Sequence, residues 1–168
     1  MAWVSVSLNL GLSVPGSVDS TQAFPVGMVA QFRDPTYGVG EFIYLPGVAS
    51  TAAGDVVNYS VSDGATNTGS TTRWAGTAGT GIPLAIATAA TVASTWGWYQ
   101  ISGAAVVNTS GTVAAGDKAF YQATATVSST QVNGKQVQGM TAASANGVPS
   151  ANKAIYTINR PSAQDQVV

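Results

Sequence analysis

Chemistry in this chain would have to come from a short roster of side chains. The acids are Asp19, Asp34, Glu41, Asp55, Asp63, Asp117 and Asp165, and the bases are Arg33, Arg73, Lys118, Lys135, Lys153 and Arg160. A carboxylate pair for general acid–base work must be drawn from those acids, and none of them stands in a recognisable catalytic motif. Asp34 precedes Pro35 and Asp63 precedes Gly64, which are turn-forming contexts, while Asp55 and Asp117 each end an Ala-Ala-Gly-Asp string at a strand entry. The chain has no His and no Cys, which removes the commonest general base, the commonest metal ligand, thiol catalysis, Cys/His zinc sites and disulfides. No phosphate loop, dinucleotide fingerprint or calcium-loop spacing is present, and the Gly/Thr stretch 76–81 lacks the Lys a nucleotide site needs. The sequence therefore predicts neither an enzyme nor a cofactor or metal site. The side chains left with recognition chemistry are the aromatics Trp74, Trp96, Trp98 and Tyr99. Together they could form a platform for sugars, but their strand-like surroundings favour core or interface packing.

Composition points the same way. At 168 residues the chain is one domain, long enough to bury about two-thirds of its unfolded surface. Charged residues are 8% of it, where roughly 25% is usual, so Ser, Thr, Asn, Gln, Ala and Gly must cover the surface. Little repulsion then opposes association, which suits a subunit whose surface is used in contacts. With a net charge of −1 and no basic run, the chain lacks the electrostatic footprint of a nucleic-acid binder. Its N-terminus lacks the basic and apolar regions of a secretory signal. The longest apolar run, 82–93, is broken by Pro83, Thr88 and Thr91 and is too short to span a bilayer. The expectation is a protein made in a cytoplasm, with no membrane partner. A chain without oxidisable thiols also suits work outside the reducing cell.

The elements that must position these residues read as short strands. The organising stretch is 96–107, rich in aromatic and β-branched residues, followed through the turn-forming residues 108–111 by 112–121, which reads as a hairpin. Earlier, 40–48 leads through Ala52-Ala53-Gly54-Asp55 into Val56-Val57-Asn58-Tyr59, just as the later strand leads through Ala114-Ala115-Gly116-Asp117 into Lys118. This grammar predicts a degenerate two-fold internal repeat. Alternation also marks 25–32, 118–127 and 153–159, with Pro161 as a stop; 82–87 reads as a strand that Pro83 places at an edge or at its first residue; Asn133-Gly134 is a hairpin dipeptide, and 62–72 reads as an exposed polar loop. The Ala-rich stretch 88–95 reads as a crossover with one or two helical turns. The predicted class is all-β: an antiparallel β-sandwich or barrel of about eight to ten short strands with an extended N-terminal arm.

In that arm Val4, Val6, Leu8 and Leu10 alternate with Ser5, Ser7 and Asn9 beside Trp3. Residues 13–24 hold Pro15, Gly16, Ser17, Asp19 and Ser20 without periodicity and read as a linker. The chain thus divides into an arm and linker, 1–24, and a β domain, 25–168. A strand on such a tether can fold back on its own sheet or add to the edge of a neighbouring subunit. The second reading is favoured, with Trp3, Val4, Val6, Leu8 and Leu10 as contact residues.

Four stretches, in order, resemble one family: 34–50 (Asp-Pro-Thr-Tyr-Gly-Val-Gly-Glu-Phe-Ile-Tyr-Leu-Pro-Gly-Val-Ala-Ser), 81–87 (Gly-Ile-Pro-Leu-Ala-Ile-Ala), 96–103 (Trp-Gly-Trp-Tyr-Gln-Ile-Ser-Gly) and 114–117 (Ala-Ala-Gly-Asp). They are similar to the head decoration, or capsid cement, proteins of tailed bacteriophages, over about residues 25–165. The resemblance implies a structural virion protein on the outer surface of an icosahedral capsid. It implies homotrimers that bind between subunits of the major capsid protein and clamp them after the shell expands. The alternative class is a virion fibre or receptor-binding module with a glycan platform built on the aromatics.

Overall fold

A computed structural model describes residues 4–5, 13–61, 69–122 and 125–165, and among them the chain is strand, turn and loop without helix. The strands are β1 (Val4–Ser5), β2 (Val29–Asp34), β3 (Gly38–Pro46), β4 (Val56–Ser60), β5 (Ser70–Arg73), β6 (Leu84–Ala87), β7 (Trp96–Asn108), β8 (Lys118–Tyr121), β9 (Val127–Ser128), β10 (Gln136–Ala142) and β11 (Lys153–Ala163). All belong to one curled antiparallel sheet. The all-β expectation holds, with eleven strands among the described residues. The stretch 88–95 contains no helical turn. It ends in a tight turn in which Thr95 Oγ1 donates to the Val92 carbonyl and accepts from the Val92 N–H.

β7 organises the sheet because both of its edges are in use. Along one edge it pairs with β3, from Trp96 opposite Pro46 to Ser102 opposite Glu41. On the other edge Tyr99 and Gln100 pair with Ala87 and Ile86 of β6, and beyond them Ser102 to Asn108 pair with β11. The change of partner falls between Gln100 and Ser102; just beyond it stands Gly103, whose φ of 99° favours Gly and where a Cβ would stand 2.6 Å from the Val39 carbonyl oxygen. The expected hairpin between β7 and the strand after it does not form. β8 pairs instead with β9 and β10, and from Ser102 to Asn108 the partner of β7 is β11.

Two further expectations are corrected. Asn133-Gly134 does make a turn, with the Lys135 N–H donating to the Val132 carbonyl. It joins β9 to β10, however, and these flank β8 without pairing to each other. Pro161 does not end the last strand: β11 runs through it to Ala163. The register between β10 and β11 breaks there, between Gln138 and Met140; Arg160 has a φ of 43° and Gly139 a φ of 70°. A bulge is where a strand tolerates the N–H that Pro lacks.

The repeat is present in the hydrogen bonds. In both Ala-Ala-Gly-Asp turns the Asp carboxylate accepts the first Ala N–H, at 3.0 Å for Asp55 and 2.8 Å for Asp117. The Asp N–H donates to that same Ala carbonyl, and the Gly N–H donates to a strand carbonyl, of Ala87 in one case and Ala142 in the other. Ala87 and Ala142 each return an N–H to the Asp carbonyl. From there the registers match. Val56 opposite Ile86 corresponds to Lys118 opposite Thr141, and Ala87 opposite Tyr99 to Ala142 opposite Tyr156. Ile43 opposite Tyr99 likewise corresponds to Ala105 opposite Tyr156. Strands β3 to β7 and β7 to β11 therefore follow one topology, with β7 closing the first unit and opening the second. The second unit curls back on itself where Thr109, just past β7, bridges Val127 of β9.

Each unit buries an equivalent face. Ile43, Leu45, Val57, Ala87, Tyr99 and Ile101 lie in the core of the first, and their counterparts Ala105, Val107, Ala119, Ala142, Tyr156 and Ile158 lie in the core of the second. From the opposite face of the first unit, Val56, Leu84 and Ile86 join the second core, together with Trp74 and Tyr121. The units are thus packed together as well as sharing a strand. A third cluster, Phe32, Phe42, Tyr44 and Trp98, fills the remaining face of β2, β3 and β7. Trp98 meets Phe32 and Tyr44 nearly edge to face at 5.1 and 5.2 Å, and Phe24 comes within 5.5 Å of it. Each such ring pair is worth about 0.5–1.5 kcal/mol beyond the area it buries.

Residues 13–24 are not a free tether. Asp19 exchanges both backbone hydrogen bonds with Trp96, and the Gly16 N–H donates to Thr88 Oγ1. The reading of this stretch as a linker missed these anchors because they are single residues without a period. In the arm, the backbone of Val4 and Ser5 pairs with Arg33 and Phe32 of the same chain, which is the fold-back arrangement. β2 is the edge nearest in sequence, so it is reached at the least loop-closure cost. Trp3, Val6, Leu8 and Leu10 lie outside the described residues, and of Val4 only the backbone is described.

Candidate functional site

The aromatic set is distributed through the interior. Trp74 is buried against the Tyr121 ring with centroids 4.7 Å apart, Trp98 lies in the cluster beside β2, and Tyr99 is buried in the first core, its hydroxyl 2.9 Å from Thr91 Oγ1. Trp96 is half-buried and packs against both of those cores. The four rings do not form one face, so the geometry gives no aromatic platform. Burial raises the Tyr99 phenol pKa, opposed by its bond to Thr91. Burial also raises that of its counterpart Tyr156, with the Asp117 charge adding to the effect.

The acids are taken up by the scaffold. Asp55 is buried and binds three groups. Its Oδ2 accepts the Ala52 N–H and Arg73 Nε, each at 3.0 Å, and its Oδ1 accepts Asn108 Nδ2 at 2.9 Å. It therefore ties the turn before β4 to β5 and to the end of β7. Asp34 Oδ1 accepts the Thr36 and Tyr37 N–H groups in the turn between β2 and β3. Asp19 Oδ2 accepts the hydroxyls of Ser13 at 2.8 Å and Tyr44 at 2.7 Å, while the Tyr44 oxygen accepts the Ala23 N–H. Tyr44 is held well above the usual phenol range by burial first and by its bond to Asp19 second. Glu41, in β3, pairs with Arg160 at 3.0 Å across an exposed surface. Asp34, Asp55 and Asp117 thus hold backbone N–H groups, while Asp19 and Glu41 hold side chains.

The residues that sequence reasoning missed are those of the seam where the two units meet. A small pocket there has a volume of about 30 Å³, room for one or two waters or a carboxylate-sized group. Gly54, Ile86, Ala87 and Gln100 line it from the first unit, Ala104, Val106 and Lys153 from the second, and Tyr37 from the β2–β3 turn. Gln100 is fixed by two bonds from its Nε2, to the Ser102 and Ala104 carbonyls. Lys153 is half-buried and donates to the Ala53 carbonyl at 3.1 Å. Small residues on β6 and β7 leave the hollow, and their positions carry no periodic signal of their own. A second, open groove of about 360 Å³ follows the bulge where the β8–β10 pairing jumps from Val137 to Thr141; Lys118, Gln136, Thr157 and Asn159 line it. Among the described residues no group of three or more acids could hold a metal ion.

No family model matches the chain, nor does any curated protein or solved structure.

Proposed function

We propose that the protein is a structural component of a phage virion, a decoration or cement protein that binds as homotrimers between subunits of the major capsid protein on the outer surface of the shell. The observation that carries the reading is the use of the acids: Asp19, Asp34, Asp55 and Asp117 each accept hydrogen bonds that close a turn or dock a segment. A chain that commits its buried carboxylates to its own backbone, beneath a coat of neutral polar residues, is built to hold a shape and to make contacts. The motifs of 34–50, 81–87, 96–103 and 114–117 support the same reading through their resemblance to capsid decoration proteins. The rings of the alternative, a glycan platform, are turned into the cores.

A clamp adds contacts that exist only in the assembled shell, so it stabilises the particle by mass action and avidity. Thermal release of DNA from particles with and without the protein tests this. Release at a lower temperature from particles lacking it is the expected result, and coincident release profiles would contradict the clamping role. Sedimentation of the free protein at micromolar concentration is expected to give a trimer; a monodisperse monomer would restrict trimer formation to the shell.

A further inference from the structure

We infer that the seam pocket is a docking point for an acidic side chain of a neighbouring virion subunit, with Lys153 as its counter-charge. The identity of the partner rests on the proposed function; the chemistry rests on the pocket.

Three observations converge. The first is the state of Lys153. Arg73 and Arg160 pair with Asp55 and Glu41, and Lys135 lies over the Tyr121 ring. Lys153 is half-buried, and its ammonium meets only a backbone carbonyl among the described residues. An ammonium offers three donors, so two of them remain for a ligand. The second is the neighbourhood. Asp55, the nearest acid along the turn it touches, already binds Ala52, Arg73 and Asn108, so it is not available to neutralise Lys153. The third is shape. The hollow beside Lys153 is walled by Ile86, Ala87, Ala104 and Val106, which suits the methylenes of a Glu or Asp side chain ending in a carboxylate. Partial enclosure strengthens the ion pair relative to one in open water. The floor is fixed by the Gly54 N–H, which donates to the Ala87 carbonyl, and by the two hydrogen bonds that Gln100 Nε2 donates to the Ser102 and Ala104 carbonyls. The pocket is therefore preformed, and little ordering opposes the docking.

Titration with N-acetylglutamate, followed by NMR on the full-length protein, tests the pocket without any capsid. Saturable shifts are expected at Lys153, Gly54, Ala87 and Ala104, absent with N-acetylglutamine at the same ionic strength and absent in Lys153→Met. Met keeps the apolar stem, so an unchanged melting temperature would show that the variant is folded. Equal responses to the two ligands, or no response, would overturn the inference. Binding to capsid shells lacking the protein supplies the partner arm. Lys153→Met is expected to bind about tenfold more weakly, with a flatter salt dependence than the wild type. Wild-type binding that Lys153→Met matches would overturn the docking role and leave decoration intact. No wild-type binding to shells, with the N-acetylglutamate response present, would instead overturn decoration and the assignment of the partner.

Discussion

At the scale of single residues the two aspartates of the repeat illustrate how one motif carries unequal weight. Asp55 and Asp117 make the same turn, yet Asp55 is buried and also binds Arg73 and Asn108, whereas Asp117 is half-exposed and among the described residues accepts the Ala114 N–H alone. Removing Asp55 takes an acceptor from the Arg73 guanidinium and from the Asn108 amide as well as from the turn. Asp55→Ala is therefore expected to cost about 3 kcal/mol, against about 1 kcal/mol for Asp117→Ala, in urea unfolding. Equal costs would mean the shared turn bond is the whole effect. The tyrosines give a pH dependence. Burial holds Tyr44, Tyr99 and Tyr156 above the ordinary phenol pKa, so above about pH 10 the unfolded chain sheds protons that the folded chain keeps. This stabilisation is complete below that pH and is lost as pH rises beyond it. Tyrosinate absorbance from these three should appear only together with unfolding. Ionisation while the near-ultraviolet circular dichroism remains native would contradict their burial.

At the scale of elements, alternation located most of the strands, because one buried face per strand leaves a period of two. Aromatic and β-branched content placed β3 and β7 to within a few residues, where both faces are buried and alternation is lost, and the Ala-Ala-Gly-Asp strings led to the repeat. Pairing was another matter. The hairpin expected at 96–121 was read from turn chemistry alone, and the decisive fact, that the end of β7 pairs with β11 while β8 pairs with β9 and β10, lies in residues farther along the sequence. The docking of 13–24 was missed for a related reason: Ser13 and Tyr44 each donate a single hydroxyl to Asp19. A hint was present in Val14-Pro15-Gly16-Ser17, where Gly third and a hydroxyl fourth repeat the turn grammar, with Ser17 Oγ accepting the Val14 N–H. The seam pocket had no sequence signal, since a hollow is made by what small residues fail to fill. As the strand common to both units, β7 should be the last element to open. Native-state hydrogen exchange is expected to be slowest for the amides of Tyr99 to Val107. Exchange there as fast as in β5 would show that the units open independently.

At the scale of the whole molecule, two topologically equivalent units are joined by one strand and by the packing of Val56, Leu84 and Ile86 into the second core. The result is a rigid body whose acids stabilise turns and whose surface is neutral and polar. That profile suits the proposed attachment to a shell. Purified protein should be mixed at increasing concentration with expanded capsid shells that lack it, and the bound fraction measured after sedimentation. Saturation at a fixed number of copies per shell, in multiples of three, is the predicted result; protein that stays in the supernatant at every concentration would contradict the account.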